Sequence, residues 1–146
     1  MMFECQIPGD PAPWTVFTKN RAPTPGFYRM KVWQTQIQIA LREEWGTQEP
    51  LTEPVVLDSA FFLPWPQSAP QHKAKAIEDW YWKHLVMKPD IDNLRKALSD
   101  ACEGFLFVGD QQVVRGDIKK DILRPTVYSK PKEGFTVIRF RPLERP

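Results

Sequence analysis

Residues 88–114 read KPDIDNLRKALSDACEGFLFVGDQQVV. Ile91, Leu94, Leu98 and Ala101 or Cys102 recur at helical spacing, so one buried stripe is expected along a helix over 91–103. Pro89 biases Lys88 toward extended backbone and marks the helix start, and Gly104 suits the C-terminal cap. Asp92, Lys96 and Asp100 recur every fourth residue and share a second, polar face. Asp90 and Asp92 lie two apart, a spacing that sends side chains to the same side of extended backbone and apart within a helix. With Asp90 still extended at the helix start, both carboxylates reach one cation. A hard cation such as Mg²⁺ takes carboxylate and water oxygens and leaves positions open for a water and a phosphate oxygen, as phosphodiester hydrolysis requires. The same residues also read as plain helix chemistry: Asp90 as N-cap, Asp92 as a first-turn acid favoured by the dipole, Asp92–Lys96 as an (i, i+4) pair. Periodicity does not separate the two readings.

Outward from this stretch, residues 55–63 (VVLDSAFFL), bounded by Pro54 and Pro64, form the clearest strand, apolar enough to suggest burial on both faces. Phe3, Cys5 and Ile7 alternate with polar or smaller neighbours in a first strand that ends at Pro8–Gly9. Residues 11–29 read as a proline-punctuated basic loop, followed by a helix over 30–45 with Val32, Ile37, Leu41 and Trp45 among its apolar positions. A short helix is expected over 71–84, and strands over 113–120 and 135–140. The order β-α-β-α-α-β-β predicts one α+β domain over residues 1–146: a mainly antiparallel or mixed sheet of about four strands, packed with two or three helices.

The bulk properties narrow the class. A chain of 146 residues with 42% hydrophobic and 26% charged residues is globular rather than disordered. Two distant cysteines, Cys5 and Cys102, argue against a zinc site or a disulfide framework and for a reducing cytoplasm. No apolar run is long enough to span a bilayer, and the start has no signal-peptide pattern. Residues 1–42 carry a net +3, residues 43–114 a net −6 and residues 115–146 a net +5. Basic ends around an acidic centre suit a site where cations fill the centre and phosphates contact the flanks. Scattered solvated charge explains the same numbers.

The run Lys88-Pro89-Asp90-Ile91-Asp92-Asn93-Leu94, then Lys96-Ala97, Asp100-Ala101 and Gly109-Asp110-Gln111-Gln112-Val113, resembles the signature of the RusA family of Holliday junction resolvases. That signature is approximately K-P-D-x-D-N-L-x-K-A-x-x-D-A-L followed by D-D-x-Q-V. The resemblance implies a RusA-like, metal-dependent endodeoxyribonuclease acting in DNA recombination and repair. Asp90, Asp92 and Asp110 would hold Mg²⁺, with Mn²⁺ as a substitute. Lys96 would be the catalytic lysine beside the scissile phosphate, supported by Asp100, and Asn93 would hold the helix start or a neighbouring carboxylate. It further implies a homodimer, whose two-fold symmetry matches that of a four-way DNA junction cut in two paired places. One departure stands out: Gly109 occupies the first of the two acidic positions, which points to a second reading, a branched-DNA-binding protein with a degenerate metal site that does not cut. A third reading makes the acidic cluster merely a helix cap in an interaction module.

Lys19, Arg21, Arg29 and Lys31 form an acid-free basic stretch suited to phosphates, and equally to a solvated loop. Lys73, Lys75, Lys83 and Lys88 are the next candidates for contacting DNA. Trp14, Phe17, Trp80 and Trp82 are candidates for stacking on bases, although such aromatics more often belong to cores or interfaces. His72 and His84 receive no catalytic role.

Overall fold

The computed structural model describes residues 2–17, 20–126 and 129–146. Strand β1 (Phe3–Pro8) leads through a loop to helix α1 (Pro25–Glu44), then strand β2 (Val55–Leu63). Helices α2 (Ala74–Leu85) and α3 (Ile91–Cys102) follow, then a single 3₁₀ turn at Asp110–Gln112. Strands β3 (Val113–Arg115), β4 (Ile118–Ile122) and β5 (Phe135–Pro142) complete the order. The expected α+β architecture is the observed one.

The sheet is mixed. β5 lies between β1 and β2 and pairs antiparallel with both. β3 and β4 run parallel to β2 on its other edge. Parallel neighbours need a long crossover, and α2 with α3 supplies it between β2 and β3. The stretch 113–120, expected as one strand, is two. Arg95 of α3 reaches the β2 edge, donating to the Leu57 carbonyl at 2.6 Å and to Ser59 Oγ at 2.8 Å. The Leu57 carbonyl is thereby occupied from the helix side where a regular ladder would place a strand amide. Gly116 passes so close to that carbonyl that any Cβ there would collide with it. The ladder resumes beyond, where Asp117 accepts from Ser59 N–H at 2.9 Å and its own N–H donates to Asp58 Oδ1 at 2.8 Å.

Helix α1 starts five residues before the expected Met30. Thr24 is the N-cap, its hydroxyl accepting from Phe27 N–H at 3.2 Å, and Pro25 opens the helix. Proline is well tolerated there because that N–H lacks an intrahelical partner in any case. α1 and α3 cover one sheet face. Met30, Trp33, Ile37 and Leu41 from α1 meet Leu94, Leu98 and Cys102 from α3 over Ile7, Leu57, Phe61, Ile138 and Phe140. Each such fully buried aliphatic side chain contributes about 2 kcal/mol relative to exposure. Gln34 joins the two helices within this core by donating to the Ala97 carbonyl at 3.0 Å.

Burial on both faces of β2 holds only for Val55, Val56 and Leu57. Beyond them the pattern alternates, and Phe62 is half-exposed, stacked on Phe135 across the β2–β5 pair at 4.5 Å. A smaller cluster of Trp65, Ala69, Tyr81 and Ile122 lies under α2. Trp80 belongs to its margin, held between Trp65 at 4.5 Å and His84 at 3.8 Å, so both Trp80 and His84 have structural occupations. No helix among the described residues is long and apolar enough to cross a membrane.

Candidate active site

Asp90 has extended backbone (φ −83°, ψ 158°) and is the N-cap of α3, its Oδ1 accepting from Asn93 N–H at 2.9 Å. Asp90 thus caps the helix, as one of its two sequence readings expects, and its backbone is still extended, the conformation on which the cation reading depends. Asp92, in the first turn, is exposed and makes no side-chain hydrogen bond or ion pair among the described residues. Asn93 acts through its backbone rather than its amide. Its N–H meets Asp90, and its carbonyl accepts from Trp14 N–H at 3.0 Å.

Asp110 opens the 3₁₀ turn after α3 and is exposed, its carboxylate likewise without a side-chain partner among the described residues. Gln112 holds this turn. Its Oε1 accepts from Val108 N–H at 2.8 Å and Gly109 N–H at 2.9 Å. Its Nε2 donates to the carbonyls of Leu51 at 2.7 Å and Glu53 at 3.0 Å. One amide side chain thus ties the acidic turn to the segment that leads into β2. Glu103 Oε1 also accepts from Asp110 N–H at 2.9 Å. No three His, Cys, Asp or Glu side chains among the described residues stand together as a set able to hold a metal ion. The donor chemistry nevertheless suits a hard cation, since Asp92 and Asp110 offer exposed, unengaged carboxylate oxygens.

Lys96 makes no ion pair with Asp92 or Asp100 within 4.0 Å, so the expected support from Asp100 is not observed. Its ammonium sits instead over the Trp14 ring, 3.5 Å from the centroid. Trp14 is half-buried in this contact rather than free to stack on a base; Phe17 packs on Phe27 at 5.2 Å, and Trp82 is exposed.

A groove of about 1050 Å³ runs beside Asp90 and Asn93 between the loop over residues 9–15 and the first half of α1. Arg29 and Lys88 line it, joined by Lys132, which sequence reasoning passed over. Arg21, Lys31, Lys73 and Lys75 are exposed but do not line it, and Lys19 lies outside the described residues. Lys31 lies 5.5 Å from the Phe27 ring centroid. Both cysteines are buried free thiols: burial pushes Cys5 up to about 11 and Cys102 up to about 12, so both stay protonated at neutral pH.

A match to the family described as Endodeoxyribonuclease RusA spans residues 8–131, most of the chain. This chain belongs to the RusA endodeoxyribonuclease family. Membership implies endodeoxyribonuclease activity of the Holliday-junction-resolving kind and binding to branched DNA. A comparison with curated proteins finds no match.

Within this RusA-family chain, Lys120 is a residue near the site that the motif reading missed. From β4, its ammonium donates to the carbonyls of Met87 and Pro89, each at 2.9 Å, and so braces the turn that ends in Asp90. Burial lowers its pKa, while the nearby Asp90 carboxylate opposes that shift. The signal was present in IKKDI, where strand alternation groups Lys120 with Ile118 and Ile122. Lys120→Met keeps the length and removes the donors. The expected result is a stability loss of about 1–2 kcal/mol in urea titration and a roughly tenfold slower cleavage of a four-way junction. A stability loss under about 0.5 kcal/mol with an unchanged rate would show that the brace is dispensable.

Proposed function

We propose that the chain forms one RusA-like domain that resolves four-way DNA junctions by divalent-metal-dependent hydrolysis, acting as a homodimer in the cytoplasm. Asp90, Asp92 and Asp110 hold the ion, Mg²⁺ or in its place Mn²⁺. When bound, the ion lowers the pKa of a coordinated water and stabilises charge on the phosphate. The observation that carries this reading is the exposed, unengaged state of the Asp92 and Asp110 carboxylates at the family's signature positions. Lys96 neutralises charge developing on the scissile phosphate. Lys88 and Arg29 hold the flanking backbone along the groove, and Lys132 joins them. Arg21, Lys31, Lys73 and Lys75, exposed but outside the groove lining, add affinity that salt weakens, and Lys19 is assigned the same part from the sequence alone.

Cleavage of an end-labelled synthetic junction, in Mg²⁺ and in EDTA and beside linear duplex, tests the reading. Paired nicks placed symmetrically across the junction, dependent on metal and absent from the duplex, are expected. Tight junction binding with no cleavage in Mg²⁺ or Mn²⁺ would replace it with the non-cutting branched-DNA binder.

Gly109 is the observation that favours that second reading. Its φ of −144° is ordinary for any residue, and the nearest atoms a Cβ there meets belong to the flexible end of the Gln111 side chain. Gly109→Asp is therefore expected to fold normally and to change the single-turnover rate by less than about threefold, because Asp110 is the acid that acts. A rise of about tenfold or more would mark the natural site as degenerate.

A further inference from the structure

We infer that Trp14 is a positioning residue: its indole face seats the Lys96 ammonium at the edge of the groove that Asp90 and Asn93 line. The inference rests on the proposed role of Lys96 in the nuclease reaction. Lysine carries four rotatable bonds and a compact charge, so an exposed lysine one turn into a helix samples many positions. Here the charge lies 3.5 Å from the Trp14 ring centroid, close enough for the negative face of the ring to hold it. Among the described residues no carboxylate takes it within 4.0 Å, although Asp92 and Asp100 flank it at helical spacing. An ion pair with either acid would neutralise the charge, whereas an aromatic face holds it and leaves its N–H donors available for a phosphate.

The seat is itself fixed. The Trp14 backbone N–H donates to the Asn93 carbonyl at 3.0 Å, which ties the loop backbone that carries the ring to the first turn of the same helix that carries Lys96. The next residue, Thr15, donates its N–H to Met30 Sδ of α1 at 3.3 Å. At the other end of the loop, Gly9 N–H donates to the Gly134 carbonyl at 3.2 Å, and Ala12 is buried. Trp14 is therefore part of a strap anchored to β5's leading segment, to α1 and to α3. Trp14 also lines the groove beside Asp90, Asn93 and Arg29, so the ring that holds the Lys96 charge is itself part of the wall of the space offered to a DNA backbone. A preplaced charge needs no reordering as the phosphate reacts.

Two measurements on the full chain test this. Selectively ¹³C-labelled lysine reports the ring current: the Lys96 ε-methylene protons are expected well upfield in the natural protein, less so in Trp14→Phe, and at ordinary positions in Trp14→Leu. Single-turnover cleavage and junction affinity are then compared for Trp14→Phe, Trp14→Leu, Lys96→Ala and the Trp14→Leu/Lys96→Ala pair. Trp14→Leu should slow cleavage about tenfold at unchanged junction affinity, with Trp14→Phe within about threefold of the natural rate, and should add nothing in the Lys96→Ala background. Unshifted Lys96 signals in the natural protein would overturn the seat. So would an equal loss with and without Lys96, or a loss confined to affinity, since Trp14 would then act on its own or on the DNA. A shifted Lys96 in a chain that cuts no junction would reject the nuclease reading instead and leave the seat standing.

Discussion

Asp92→Asn should slow single-turnover cleavage of a four-way junction by about a thousandfold or more, with junction affinity within about threefold of the natural chain. The substitution exchanges one oxygen for an NH₂ group, removing a negative ligand while keeping the side chain's shape. Asp92 is exposed and bonded to no side chain among the described residues, so the fold loses little. What remains is the favourable interaction of a first-turn acid with the α3 dipole, worth about 0.3–1 kcal/mol. Thermal unfolding should move by only a few degrees. Asp90→Asn is the instructive companion, because asparagine caps a helix about as well as aspartate. It should preserve the bond to Asn93 N–H and stability while losing cleavage as Asp92→Asn does. A variant of either residue that cuts within tenfold of the natural rate would remove that carboxylate from the reaction.

Gln112→Glu should cost about 2–4 kcal/mol of stability in urea titration, despite being nearly isosteric. One side-chain oxygen would still accept from Val108 and Gly109 N–H, as Gln112 Oε1 does. The other would replace an amide donor that serves the Leu51 and Glu53 carbonyls, setting an anion against two acceptor oxygens. The two carbonyls lose their donor and gain a repulsive neighbour, and the 3₁₀ turn carrying Asp110 loses its tie to the segment before β2. Cleavage should fall along with stability, by about tenfold or more at temperatures where the variant is fully folded. Gln112→Leu provides the comparison: it removes all four bonds without adding charge, so it should cost less than the glutamate if repulsion matters. A loss below about 0.5 kcal/mol for Gln112→Glu would mean that the turn is held by other contacts.

The two largest effects thus come from residues of one motif that act in different ways, and the sequence showed only that they occur together. Asp90 and Asp92 are legible because two elementary patterns meet there, an apolar stripe at helical period and acids at the helix start. Gln112 carries no periodic signal. Its four partners lie at 108, 109, 51 and 53, and the last two are brought within reach by the chain's return toward β2. Lys96 shows the opposite case. Helical spacing offered it Asp92 and Asp100, and the structure gives it Trp14, from a loop some eighty residues earlier that periodicity leaves unplaced.

The amino-acid sequence by itself determined the elements and the class: strands over 3–8 and 55–63, the helix from Ile91 with its Asp90 cap, the α+β order and the membership in the RusA family. These depend on local backbone preference and on which face of an element is apolar, both written in neighbouring residues. Tertiary structure decided the parallel pairing of β3 and β4 with β2, and the division of 113–120 where Arg95 takes the Leu57 carbonyl. It also decided the Lys120 brace behind Asp90 and the seat of Lys96 on Trp14. The physical reason is common to all four: each polar or charged group there is satisfied by a partner far away in the chain. Such a partner is chosen by geometry after the core has formed, and no local pattern records the choice.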